Sequence, residues 1–251
     1  PDAPRQSSAG RHFILAQRQP AASRRLLATL GIIVVPRYAS WLQYVFDREA
    51  SADPWYNSLD FVPIQAGDAE LVELIELTCR RSGADLIKYT DAQVAMGLDY
   101  IFNPSCSDTA FSLRSESVPV SQRLSAIQSI GTLYTDCFAR RCTTAGGPTG
   151  EKVGTDLNDI CYMLWDVTPI VCVGDTLDSS VYLSASLTVL QNALGLHNAA
   201  CIESALHGLG HLHAFAPLEV ERIIDEFLRR SSDLSLSLLR YATAARDGHV
   251  Q

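Results

Sequence analysis

Apolar residues recur at helical spacing through almost the whole chain, in segments of roughly ten to twenty residues set off by Gly, Pro, Asp or Asn. No run alternates as a half-buried strand must. Trp41, Leu42, Val45 and Phe46 share one face of a segment over residues 38–49. DAELVELIELTCRR, from Asp68, carries acidic residues in its first turn, where they complement the helix dipole, and Gly83 marks its end. AQVAMGLDYIF follows Thr90 and stops at Asn103-Pro104, and residues 104–120 read as a loop. QRLSAIQSIGTLYTDCFARR places Leu124, Ile127, Ile130, Leu133 or Tyr134, and Phe138 along one long helix. Further helices are expected from Asp156, from Ser179, through CIESALHGLGHLH (201–213), after Pro217, and over about 234–246. The β-branched runs IIVV and VCV are short enough for buried helix or connector. The fold class is therefore all-α: stacked antiparallel helical hairpins or a compact helical bundle.

Residues 1–22, rich in Pro, Ser, Ala, Gln and Arg, read as a mobile N-terminal arm, and residues 23–251 as one all-α domain. With 251 residues, 47% of them hydrophobic, the chain has ample material for a large core. Arg24 and Arg25 ahead of LLATLGIIVV imitate a signal peptide, but the run is too short to span a bilayer and reads as buried helix. Seven cysteines without CxxC spacing argue for a reducing, cytoplasmic setting with thiols used as small apolar groups. A formal net charge of -8 disfavours nucleic acid and anionic membranes as partners and favours a basic protein.

A helical wheel separates the surfaces of CIESALHGLGHLH. Ile202, Leu206, Leu209 and Leu212 form an apolar face; Ala200, Ser204 and Gly208 form a small-residue groove where another helix can approach closely. Between them lie Glu203, His207 and His211 at i, i+4, i+8. These three are the candidate site, and the reading adopted is a polar network between helices or a surface that contacts a partner. Cys201 and His213 project away from it. Histidines at i and i+4 also suit a cation, with Glu203 as third ligand. However, Gly208 stands where zinc proteases carry their general-base Glu, so no metal or other cofactor is expected. GxSxG, GxGxxG and P-loop patterns are absent, and AGGPTGEK (145–152) reads as a linker. Trp55 and Tyr56 belong to an aromatic group with Trp41, Tyr44, Phe46 and Phe61, which either seals one end of the helices or offers a contact surface.

Gly97 in AMGLDYIF, Gly131 in SIGTLY and Gly208 in ALHGLGHL recur at intervals of one and about two repeat lengths of 34–40 residues. In this the chain resembles HEAT-like α-helical repeat proteins over residues 68–246. The resemblance implies a solenoid of hairpins and a role in protein–protein interaction. Small acidic helical proteins also resemble bacterial inhibitor or immunity proteins that neutralise a toxin or enzyme. The alternatives are an enzyme using a metal or a His/Glu acid–base pair on the 203–211 helix, and a structural subunit of an assembly.

Overall fold

The computed structural model describes residues 36–143, 156–170, 179–231 and 234–250. The N-terminal arm, the IIVV and VCV runs and AGGPTGEK lie outside these residues. The described chain is all-α, with no strand. Nine helices longer than ten residues carry it: α1 Pro36–Phe46, α2 Asp68–Arg80, α3 Asp91–Phe102, α4 Val120–Leu133, α5 Asp156–Val167, α6 Ser179–Ala193, α7 Ala199–Leu212, α8 Pro217–Arg230 and α9 Leu236–Arg246.

Local chemistry fixes the ends. Thr90 and Gln93 close a capping box on α3, Asn198 accepts the Cys201 amide at the start of α7, and Ser235 caps α9. Pro217 opens α8. At the end of α9, Gly248 takes φ 73° while its amide and that of His249 return to Ala245 and Ala244, a Schellman closure that requires a left-handed residue. Two boundaries differ from expectation. Gly83 does not stop α2, which ends at Arg80; it lies in a short helix, Ser82–Asp85. Residues 104–120 are not all loop, because Thr109–Arg114 form a buried 3₁₀ turn.

Alternate helices stack. α2 packs on α4 and α4 on α6 in one row; α3 packs on α5, α5 on α7 and α7 on α9 in another, with α6–α7, α7–α8 and α8–α9 joining neighbours in sequence. This order gives α7 four helical partners, and Ala205, Leu206 and Leu209 on it are fully buried. Arg141 pins the end of the α4 segment to the start of α3 by donating to Asp91 and to the carbonyls of Leu86 and Tyr89.

The three recurrent glycines are not equivalent. A Cβ on Gly97 would stand 2.3 and 2.4 Å from ring carbons of Phe46, which is wholly buried on α1. A Cβ on Gly131 would meet nothing within 4 Å. Gly97→Ala is therefore expected to destabilise by about 1–3 kcal/mol through overpacking, despite its better helix propensity. Gly131→Ala is expected to stabilise by up to about 1 kcal/mol. Urea unfolding of the two variants checks both signs, and equal effects would remove the close-approach account of Gly97.

Candidate functional site

On α7, successive turns present His207 and His211 on one edge, as their spacing requires. The structure supplies their partner from α5. Asp166 Oδ1 is 3.1 Å from His211 Nε2, which is itself 3.1 Å from His207 Nε2. The three donor atoms lie within 4.8 Å of one another. His207 is 2% exposed, whereas the side chains of His211 and Asp166 are 30% and 39% exposed, so the cluster is anchored inside and open to solvent at its rim.

Tyr162 of α5 and Tyr241 of α9 hold the buried imidazole from behind. Tyr241 hydroxyl is 2.8 Å from His207 Nδ1 and 2.9 Å from the Tyr162 hydroxyl, and the Tyr162 ring lies over the His207 ring at 4.3 Å. Burial, and then the neighbouring His211, lower the His207 pKa from 6.5 to about 4, so the ring is neutral near pH 7. Burial raises the Glu203 carboxyl. The negative charge of Glu203 acts on the Tyr162 and Tyr241 phenols. Glu203 makes no hydrogen bond to either histidine among the described residues; the carboxylate that meets His211 is that of Asp166.

The other surfaces of α7 fall as the wheel has them. Cys201 turns inward beside Cys161 and Cys142, where burial pushes the Cys161 thiol far up. All six described cysteines are free, and the buried ones are packing groups rather than nucleophiles. His213 sits apart, with Nε2 3.7 Å from Glu221 and its ring against Gly248. Gly208 faces Trp165 of α5, and Ser204 bonds to the Cys161 carbonyl and the Tyr134 hydroxyl. The small-residue groove is thus filled by α5 together with Leu190 of α6 and Tyr134.

Trp55 and Tyr56, in a 3₁₀ turn at Trp55–Asn57, are half-buried. Trp55 packs against Tyr44, Phe61 and Tyr100 within 5.4 Å between centroids, with the Arg48 guanidinium 4.8 Å from its own ring centre. Trp55 thereby lies against side chains of α1 and α3. Tyr56 also borders an open groove of about 810 Å³ between α3 and α5, floored by Met96, Ile160 and Met163 and edged by Asp99, Asp156 and Asp159. Asp99 is engaged by Tyr56, Asn103 and Cys106. Asp156 and Asp159 are exposed and make no salt bridge among the described residues.

No protein-family model matches the chain, no curated protein matches its sequence and no solved structure matches its fold. Among the described residues no helix is long and apolar enough to cross a membrane.

Proposed function

We propose that this protein is a protein-binding module that accommodates a basic, partly apolar segment of a partner in the groove between α3 and α5. The observation that carries this reading is the groove itself: about 810 Å³, apolar along its floor, with two exposed carboxylates at its edge that make no salt bridge among the described residues. A cationic side chain laid over the floor buries its methylene stem there while its head meets Asp156 or Asp159. The net charge of -8 draws a basic partner to the surface before contact. Alternate-helix stacking supports the hairpin-repeat reading, because such rows present extended binding surfaces. In this role the chain serves as an inhibitor or immunity-type protein that occupies a basic toxin or enzyme.

An arginine- and leucine-containing peptide followed by fluorescence anisotropy tests the groove. Asp156→Lys/Asp159→Lys is expected to weaken binding by about tenfold, since each exposed pair contributes at most about 1 kcal/mol and reversal adds repulsion. Raising salt is expected to weaken binding to the native chain as the charges are screened. Equal affinity of the native and charge-reversed chains, with no salt dependence, overturns the reading.

A further inference from the structure

We propose that Asp166, His207 and His211 form a binding site for one first-row divalent transition cation, with Zn²⁺ the cation that the donor set suits well. The site is separate from the groove, although α5 carries both: Asp159 edges the groove and Asp166 lies two turns further on.

Two imidazole nitrogens and a carboxylate oxygen form a borderline donor set, suited to zinc or iron rather than calcium or magnesium. The two separations that meet at His211 Nε2 fit one ion. Donor atoms 3.1 Å apart, each about 2.1 Å from a shared cation, subtend roughly 95° there, between octahedral and tetrahedral values. All three come from helices packed on one another, α5 and α7, so the set is held by the core rather than by a loop. The surrounding shell is also built. Tyr241 fixes the free ring nitrogen of His207 and is itself held by Tyr162, the kind of outer contact that orients a ligating imidazole.

Hydrogen bonding alone serves this geometry poorly. His211 Nε2 stands 3.1 Å from both Asp166 Oδ1 and His207 Nε2. Its single N–H, when present, points well at only one of them. When His207 donates instead, the His211 lone pair faces the carboxylate. In the first case one acceptor is left without a proton, and in the second two lone pairs oppose each other, whereas a cation accepts from all three atoms at once. Asp166 and Glu203 supply negative charge nearby. Because the rim formed by Asp166 and His211 is open, a bound ion keeps positions for water, as three-ligand zinc sites do.

The test uses the full tag-free chain, stripped with EDTA and titrated with Co²⁺ by visible absorption and with Zn²⁺ by calorimetry. One equivalent is expected to bind, with cobalt bands of a nitrogen and oxygen site and a rise in Tm. His211→Gln and Asp166→Asn alter partly exposed side chains, and their metal-free unfolding curves verify the fold. Each is expected to weaken binding by more than the roughly 100-fold that bounds outer-contact losses, and Tyr241→Phe by about 10- to 100-fold. His213→Ala, outside the cluster, is expected to bind as the native chain does. Absence of saturable binding, or the same affinity in His211→Gln and Asp166→Asn as in the native chain, overturns the proposal.

Discussion

Replacing Trp165 by alanine is expected to cost about 3–5 kcal/mol, a large part of the stability of a domain this size. Trp165 is fully buried on α5, with Cβ and Cγ over the bare backbone of Gly208 on α7. Its indole N–H donates to the Tyr134 hydroxyl over 2.9 Å, Tyr134 meets Ser204 over 2.5 Å, and Ser204 donates to the Cys161 carbonyl. The truncation opens a cavity between two central helices and takes a donor from Tyr134. Trp165→Phe keeps much of the volume and is expected to cost far less, leaving mainly the lost hydrogen bond. Gly208→Ala is expected to cost about 1–3 kcal/mol, because the new Cβ would stand 2.8 Å from Trp165 Cγ and from Leu190 Cδ2. Trp165→Ala removes the Cγ contact but leaves Cβ at 3.0 Å and Leu190 Cδ2 at 2.8 Å, so Gly208→Ala should cost less in that background by part of its single cost. Urea unfolding of the two single variants and the double variant measures this coupling; strictly additive costs would mean that α5 and α7 do not meet through this contact.

The same contact shows what the sequence could and could not convey. A small-residue stripe at Ala200, Ser204 and Gly208 implies a close neighbour by its spacing alone, and α5 is that neighbour. Which helix arrives depends on tertiary packing, on which the local period is silent. Asp166 was missed for this reason: it belongs to a segment remote in sequence and resembles any acidic residue near a helix end. Glu203 was placed beside the histidines because i, i+4, i+8 residues share a face. Yet the face drifts at each step, and the cluster against α5 takes His207 and His211 with Asp166, while Glu203 acts on Tyr162 and Tyr241 through its charge. In α4, spacing left Leu133 and Tyr134 competing for one core position. The structure buries both by inserting a π-helical turn at Tyr134–Phe138, which shifts the helical phase. Amphipathic period made the helices legible, and Thr90 and Pro217 marked two of their starts; the turn that admits one more core residue left no local mark.

Acidification from pH 6.5 to pH 4 is expected to remove about 2.5 kcal/mol from the metal-free protein through His207 alone. Its pKa falls from 6.5 in an open chain to about 4 in the folded protein, chiefly through burial and then through repulsion from His211. Between these values the unfolded chain binds a proton that the folded chain refuses, so stability rises with pH across the window and is level in this respect outside it. The groups facing the ring act on this balance in different directions. Asp166 favours the imidazolium and is already included in the lowered value. Glu203, raised by burial, binds its proton more readily when folded, so it opposes the loss toward the acidic end. Tyr162 and Tyr241 are raised and stay neutral throughout. Because Glu203 remains in both proteins, comparison with His207→Gln isolates the histidine. Urea unfolding in EDTA from pH 4 to pH 7.5 should show a steeper dependence for the native chain, by about two to three kcal/mol over the window. Parallel curves would mean that His207 titrates alike in the folded and unfolded chains, and that its burial against Tyr162 and Tyr241 does not hold it neutral.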